Sequence, residues 1–302
     1  MITDLQKQQR RGLIGGTTMT AIAGVNRWET PADAYLDLTG QLEDRKTNEA
    51  MEAGKLFEAP LLAKLEMDLG VQLTRDVFIK DPGGIYCGNL DALCVSGPEP
   101  FIGEAKTTGL VGPPDAAYGD PEDSEIGENL PESVIVQTHH YFPLVDLLPN
   151  VPKIRLAIIP VLIGGVGLVR YRLRRNDELC EAIRKMGRDF WTKYVIPRVP
   201  PPDSVPSLEV LKRVRRQPNK YVPVADELVE RCFEDRKKKA EAIAQSEKSD
   251  SYLLAALGDA EGGTYSGGTV TYLESKRAGY TVEPTTYRQL RRKQNKQLSK
   301  EQ

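Results

Sequence analysis

Two short segments with the pattern of β-strands constrain this chain more than any other part of its sequence. The first is Gly88-Asn-Leu-Asp-Ala-Leu93 and the second is Gly103-Glu-Ala-Lys-Thr-Thr108. Because successive side chains of a strand alternate between its two faces, Glu104 and Lys106 are expected to project to the same side. With Asp91 on a neighbouring strand, the sequence predicts two carboxylates and an ammonium group close together.

This group of side chains is typical of a site that binds a metal ion and activates water. Divalent cations such as Mg²⁺ prefer oxygen ligands, with waters and substrate phosphates completing the coordination shell. A lysine beside them can orient or deprotonate an attacking water, and it can neutralise charge that develops on a phosphate. The pattern therefore indicates phosphodiester hydrolysis with Mg²⁺ as the cofactor, for which Mn²⁺ is expected to substitute.

Each of these residues also has a simpler interpretation. Glu58 is predicted on an amphipathic helix, where most carboxylates are solvated surface charges. Asp91 has the alternative of a turn or sheet-edge residue, but the flanking leucines favour a buried strand in which its carboxylate needs a cation. Glu104 and Lys106 have the alternative of a plain ion pair, worth about 0.2–1 kcal/mol at a surface. The functional interpretation rests on the further motifs that accompany these residues.

Composition sets broad limits on the class of protein. The chain has 302 residues, of which 40% are hydrophobic and 28% are charged, as expected for a soluble globular protein of one or two domains. The formal net charge of -2 requires any DNA-binding surface to be local. Four cysteines without CxxC spacing indicate reduced thiols of an intracellular protein. The polar N terminus and the short, interrupted apolar run at 154–169 predict a cytoplasmic protein without a signal peptide or membrane span.

Capping and turn residues divide the chain into an α/β domain and an extension. Thr30 and Pro31 are typical of a helix start, and a second helix is predicted from about Asn48 to a stop at Gly70. Further along we predict strands at 71–80, 85–95, 101–107 and two within 153–174, helices at 133–148 and 177–195, and a long acidic loop at 109–132.

The proline-rich run 199–206 is predicted to be a stiff linker. It separates a domain at 1–200 from a C-terminal extension at 203–302. The extension is predicted to contain a short helix at 208–216, a long helix at 226–257, a β-hairpin at 264–280 and a basic tail. We expect it to serve accessory DNA or partner binding.

Six motifs, taken in order, resemble those of the PD-(D/E)XK nucleases, specifically the YqaJ-like viral recombinase family to which the lambda-type exonuclease belongs. They are Ile14-Gly-Gly-Thr-Thr18, Trp28-Glu-Thr-Pro31, Gly54-Lys-Leu-Phe-Glu58, Gly88-Asn-Leu-Asp91, Glu104-Ala-Lys106 and Gln137-Thr-His-His-Tyr141. Each motif alone is common in proteins, so the likeness lies in their order and spacing. It covers about residues 1–200 and implies an α/β (α+β) nuclease core, a mixed central sheet flanked by helices.

The resemblance also implies roles for individual residues. Three carboxylates would bind the metal, namely Glu58, Asp91 and Glu104. Lys106 would act on the attacking water, and Gln137 would help to position the water or the phosphate. Tyr141 would stabilise the site or the path of the DNA.

A pocket for a 5′-phosphate is implied near the N terminus. Its matching positions here are Arg10 or Arg11 together with Thr17 and Thr18. The family commonly has Ser-Asp where this chain has the two threonines, so the match is weaker here than at the metal site.

His139 and His140 are the only two histidines of the chain. Adjacent side chains on a helix diverge by about 100°, so the two rings do not readily face one metal ion. No cysteine lies close in sequence to complete a zinc site. We therefore expect at least one of these histidines to pack inside the protein or to contact DNA, rather than to bind a metal ion.

The implied activity is that of a Mg²⁺-dependent 5′→3′ exonuclease acting on double-stranded DNA ends in phage-type homologous recombination. The resemblance further implies a homotrimer that threads DNA, and a single-strand annealing protein as partner. Two alternatives stay open, an endonuclease of restriction or repair type on the same fold and a non-catalytic DNA-binding protein with a decayed nuclease core.

Overall fold

A computed structural model describes residues 9–273, apart from 46, 98, 111 and 121–126. These residues form two compact units, which divide after Arg216. The first unit contains the sheet, the helices that flank it and the main hydrophobic core. The second unit is a long helix followed by a hairpin.

A mixed sheet, which has six strands in the described residues, forms the centre of the first unit. Strands β1, β2 and β3 are antiparallel neighbours, β3 and β4 both run parallel to β5, and β6 is antiparallel to β5. The predicted mixed central sheet is therefore confirmed. The strands are β1 (Thr74–Lys80), β2 (Cys87–Cys94), β3 (Phe101–Gly103), β4 (Lys106–Thr108), β5 (Leu156–Ile163) and β6 (Gly167–Arg174).

Helices flank this sheet, and their ends follow the capping residues of the sequence. Thr30 forms a capping box with Asp33 at the start of α2, and the Asn48 side chain caps α3. Gly70 ends α3 with a left-handed backbone at φ 63°, as predicted. The helices are α1 (Gly16–Ile22), α2 (Pro31–Leu38), α3 (Glu49–Leu69), α4 (Glu132–Val145), α5 (Asp177–Phe190) with a π-helical turn at Trp191–Val195, and α6 (Leu208–Leu211).

The strand predicted at 101–107 is interrupted at Glu104 and Ala105. The segments β3 and β4 keep one register against β5, so Ala105 lies opposite Pro160. Proline has no N–H group to donate, so the hydrogen-bond ladder opens at this point. On the β2 side, the Ala105 N–H donates to Asp91 Oδ2 at 2.9 Å. This hydrogen bond fixes the Asp91 carboxylate beside the junction that carries Glu104.

The predicted linker at 199–206 leads into a segment that belongs to the first unit. The Ser207 N–H donates to Asp33 Oδ1 at 2.9 Å, and α6, shorter than the predicted helix at 208–216, follows directly. The first unit therefore extends to Arg216, beyond the domain end predicted near residue 200.

Asp33 is expected to make a large contribution to this attachment. Its carboxylate is buried and accepts hydrogen bonds from the N–H groups of Thr30 and Ser207, both at 2.9 Å. The substitution Asp33→Ala leaves both donors without this acceptor and removes the capping box. We expect it to lower the free energy of unfolding by about 1–3 kcal/mol.

Urea denaturation of the full chain measures this effect. Asp203→Ala, at an exposed position, is the matched control and should stay within about 0.5 kcal/mol of the wild type. Equal midpoints for the two variants would show that the contact does not stabilise the protein.

The second unit contains α7 (Asp226–Leu257) and the strands β7 (Gly262–Tyr265) and β8 (Gly268–Thr271). The long helix predicted at 226–257 is confirmed. The predicted hairpin is present as β7 and β8, within residues 262–271, while residues 274–280 of its predicted range and the basic tail are outside the described residues. Among the helices in the described ranges, none combines the length and apolar composition needed to cross a bilayer.

Candidate active site

A cavity of about 600 Å³ in the first unit brings most of the predicted site residues together. Its walls include parts of α1, α3, β2, α4 and the open junction between β3 and β4. The predicted positions that line it are Arg10, Thr17, Thr18, Glu58, Asp91, Glu104, Lys106, Gln137 and Tyr141. Arg11 is not part of this lining, since its guanidinium donates to the Asp44 carboxylate at 2.8 and 2.9 Å.

Glu104 is the centre of a hydrogen-bonded group in this cavity. Lys106 Nζ and Gln137 Nε2 donate to Glu104 Oε1 at 2.6 and 2.7 Å. Lys106 Nζ also donates to Gln137 Oε1 at 3.1 Å, and Gln137 Nε2 donates to the Tyr141 hydroxyl oxygen at 2.9 Å. Glu104 and Lys106 therefore project to one side, as strand alternation predicts. Gln137 and Tyr141 meet because they lie four residues apart on α4.

Asp91 is half-buried and shares the cavity with a second carboxylate. Burial, and then repulsion from Glu104, raises the pKa of Asp91 well above its usual range, and the attraction of Lys106 opposes this only in part. Ionisation of Asp91 in this position therefore has a cost in free energy. A cation beside its carboxylate would offset that cost.

Lys106 is positioned as an ammonium group. Burial lowers the pKa of Lys106, but the attraction of Glu104 and Asp91 outweighs it, so the pKa lies above its usual value. In this arrangement Lys106 is a hydrogen-bond donor and a positive charge. It is suited to orienting a water and stabilising a phosphate, rather than to accepting a proton.

Glu58 reaches the cavity from the middle of α3. The helix passes close to β4 at Gly54, where an added Cβ would lie 3.6 Å from Thr107 Oγ1. Glu58 follows four residues later on the same face of the helix. Burial raises the pKa of Glu58, and the nearby carboxylates of Asp76 and Glu104 add to this rise.

The three predicted metal ligands share the cavity without forming a closed set. Within the described ranges, no three Asp, Glu, His or Cys side chains stand close enough together to hold a metal ion. Asp91 lies on β2, Glu104 lies at the junction between β3 and β4, and Glu58 lies on α3.

Two buried oxygen atoms of the cavity lack hydrogen-bond partners, Glu104 Oε2 and Asn89 Oδ1. Asn89 precedes Asp91 by two residues on β2, so both side chains project from the same face. A buried oxygen without a partner is unfavourable, and carboxylate and amide oxygens are the ligands that hard divalent cations prefer. The donor set therefore fits such a cation. Sequence reasoning missed Asn89, although the period-two alternation contained the signal.

The N-terminal part of the cavity depends on a close approach of α1 to α4. A Cβ added to Gly16 would lie 2.6 Å from the Tyr141 hydroxyl, so only glycine fits here without displacing that ring. This approach places Thr17 and Thr18 in the same cavity as the Glu104 group. Arg10 also lines the cavity. Burial raises the pKa of Asp37, and the positive charge of Arg10 is one of those that oppose this rise.

Both histidines are packing residues, which is one of the two roles that the sequence predicts for them. His140 is buried, its Nε2 lies 2.9 Å from the Cys87 carbonyl oxygen, and burial lowers its pKa to about 4. His139 Nε2 accepts the Asn176 N–H at 3.1 Å, so its Nδ1 donates to the Ile135 carbonyl oxygen at 2.9 Å. All four cysteines are free thiols, in agreement with the prediction.

Comparisons with known proteins bear on the same part of the chain. Residues 7–144 match the family model of the YqaJ-like viral recombinase domain. The Bacillus subtilis (strain 168) protein named "Uncharacterized protein YqaJ" is 34% identical over 191 residues, which cover 62% of this chain and 55% of that protein. The chain thus spans just over half the length of this curated relative.

The solved structures to which this chain is similar in part include two exonucleases. The alkaline exonuclease LHK-Exo of Laribacter hongkongensis has a TM-score of 0.45 and 16% identity, covering 63% of this chain and 92% of that one. A phage-related exonuclease from Haemophilus somnus 129PT has a TM-score of 0.44 and 11% identity, covering 61% of this chain and 94% of that one.

Proposed function

We propose that the chain is a metal-dependent deoxyribonuclease, starting from the match of residues 7–144 to the family model of the YqaJ-like viral recombinase domain. The observation that supports the proposal most directly is a pair of carboxylates, half-buried Asp91 and buried Glu104, in one cavity with the Lys106 ammonium group. A surface ion pair would need neither a buried oxygen without a partner nor a second carboxylate. A site that binds a divalent cation for phosphodiester hydrolysis would use both.

The residues of the cavity divide the chemistry between them. Asp91 and Glu104 would hold a divalent cation, which when bound supplies Lewis acidity to the attacking water and to the phosphate. Lys106, held by Glu104 and Gln137, would place its ammonium group against the phosphate and stabilise the charge that develops there. Gln137, in turn fixed by Tyr141, would keep Lys106 in that position and exclude other conformations.

We further propose that the substrate is a double-stranded DNA end, degraded in the 5′→3′ direction. The support is the position of Arg10, Thr17 and Thr18, which line the same cavity as the carboxylates and offer a cation and two hydroxyls to a terminal phosphate. A phosphate bound by these groups would hold the 5′ end beside the reacting bond. We also propose that the enzyme prefers Mg²⁺ and that Mn²⁺ can substitute for it.

The two neighbouring arginines test the assignment of the phosphate pocket. Arg10→Gln should lower kcat/KM on 5′-phosphorylated linear duplex by about 10–100-fold, because a hydrogen bond to a charged group contributes about 1.5–3 kcal/mol. The same variant should act on 5′-hydroxyl duplex at the wild-type rate. Arg11→Gln is the matched control, since its side chain is turned to Asp44, and it should be unchanged on both substrates. Equal losses on the two substrates would exclude 5′-phosphate recognition by Arg10.

One assay separates the proposed function from its two alternatives. The wild-type protein is incubated with linear duplex and with closed circular plasmid, in Mg²⁺, in Mn²⁺ and in EDTA. An exonuclease degrades only the linear duplex and only with metal. Cleavage of the closed circle would favour the endonuclease, and binding without cleavage in every metal would favour the non-catalytic protein.

The partners also belong to the proposal and rest on the family resemblance alone. We propose a trimer that encircles DNA and an annealing protein that receives the exposed single strand. Light scattering of the purified protein measures its mass directly, and a monomer bound to DNA ends would contradict the ring.

A further inference from the structure

Trp28 lines the same cavity as the carboxylates and yet exposes 67% of its surface. A single exposed apolar residue is ordinary on a protein surface. Here the exposed group is the largest aromatic side chain, and it stands at the wall of a cavity whose lining includes acidic, basic and hydroxyl groups. Its location, more than its exposure, requires an explanation.

The backbone that presents Trp28 is held firmly. Asn26 Oδ1 accepts the N–H groups of Trp28 at 2.8 Å and of Glu29 at 3.2 Å. Asn26 Nδ2 donates to Thr20 Oγ1 at 3.1 Å, which ties this turn to α1. The indole is therefore presented at a defined place, although its side chain is mostly in solvent.

One face of the indole is covered by a cation. The Arg27 guanidinium lies over the ring, 4.6 Å from the centroid, and its Nη1 donates to Asp115 Oδ2 at 3.3 Å. The Asp115 N–H donates to Thr108 Oγ1 at 2.8 Å, at the end of the strand that begins with Lys106. A flat ring with one face backed in this way offers its other face to a flat ligand.

We propose that Trp28 is a stacking platform for one nucleobase of the DNA strand whose phosphate enters the cavity. This inference rests on the proposed nuclease function and adds a base contact to it. A base can stack on an indole only after it has left its neighbour, so the ligand is the unpaired or frayed base at a strand end. Such stacking is independent of sequence because every base has a π-face.

The affinity for an end with an unpaired base measures the contact. Trp28→Ala should weaken binding of this end by about 5- to 150-fold, the range for losing one base–aromatic stack. Trp28→Phe should restore most of the affinity. Binding is followed by anisotropy of labelled DNA in EDTA, without cleavage, and the thermal midpoints of both variants should match the wild type because the side chain is exposed.

Fluorescence reports the stack itself. The chain has two tryptophans, Trp28 and Trp191, so in the Trp191→Phe protein only Trp28 emits. DNA with an intact unpaired terminal base should quench this emission. DNA of equal length and charge, with an abasic site in that position, should bind more weakly by a similar factor and leave the emission unchanged.

The outcomes separate this inference from the proposed function. Base-dependent quenching in a protein that cleaves no DNA would retain the platform and reject the nuclease. Cleavage with equal affinity of wild-type and Trp28→Ala proteins for intact and abasic ends would reject the platform and retain the nuclease. If Trp28→Ala changes the mass by light scattering but not the base dependence, the indole is an interface between copies, and the platform is likewise rejected.

Discussion

Replacing Lys106 with methionine should lower the rate constant of DNA cleavage by about 10²–10³-fold, the loss typical of one pre-positioned group that stabilises transition-state charge. Lys106 Nζ is held by Glu104 Oε1 at 2.6 Å and Gln137 Oε1 at 3.1 Å, so its position is set before DNA binds. Methionine has a similar length without the charge. It keeps the packing of the aliphatic chain and removes only the ammonium group.

The affinity for DNA separates a loss of chemistry from a loss of binding. Lys106→Met should bind DNA ends in EDTA within about threefold of the wild type, because a single, partly buried lysine adds little to the long-range attraction of phosphates. Lys64→Met, at an exposed position on α3, is the matched control and should cleave at the wild-type rate. A Lys106→Met protein with full activity would remove this residue from the proposed mechanism.

Replacing Asp91 with asparagine should abolish metal-dependent cleavage and, at the same time, stabilise the metal-free protein. Loss of an outer-shell partner of a metal already costs about 10–100-fold in affinity or activity, so loss of a ligand is expected to cost more. Asparagine retains an oxygen that can accept the Ala105 N–H. It lacks the charge whose enclosure beside Glu104 is unfavourable.

The raised pKa of Asp91 predicts the direction in which the stability of the metal-free protein changes with pH. The pKa of Asp91 in the folded protein is raised, by burial first and then by Glu104, above its value of about 3.9 in an unfolded chain. Its contribution to stability is therefore fully present below the unfolded pKa and is lost as the pH rises through the folded pKa. We expect the thermal midpoint of the wild type in EDTA to decline over this range relative to that of Asp91→Asn.

Mg²⁺ should reverse the order of the thermal midpoints of the wild type and Asp91→Asn. A ligand that binds only the folded state raises its stability, so Mg²⁺ should raise the midpoint of the wild type and leave that of Asp91→Asn unchanged. Asp203→Asn, at an exposed position, should respond like the wild type. If Asp91→Asn showed the full Mg²⁺ shift, Asp91 would not be a metal ligand.

Several features of the site follow from local patterns in the sequence. Strand alternation places Glu104 beside Lys106, and helical spacing places Gln137 beside Tyr141. The ends of α3 at Asn48 and Gly70 follow in the same way from a cap and a left-handed glycine. These rules hold because each depends on backbone geometry over a few neighbouring residues.

Other features of the site depend on residues far apart in the chain. Arg10 and Arg11 are equivalent by sequence, but Asp44 takes Arg11 away from the cavity. The gap in the ladder at Ala105 depends on Pro160 in another strand. Neither can be read from a local pattern, because the deciding contact comes from a distant segment.

The sequence by itself determined the kinds of groups in the site, the elements that carry them and the family they resemble. Only the tertiary structure decided that Asn89 lies beside Asp91 with an unpartnered oxygen, that Glu58, Asp91 and Glu104 line one cavity without forming a closed set of ligands, and that the first unit continues to Arg216. The physical reason is that the period of a strand or helix fixes the direction of a side chain. Its distance from groups on other elements is fixed by how those elements pack.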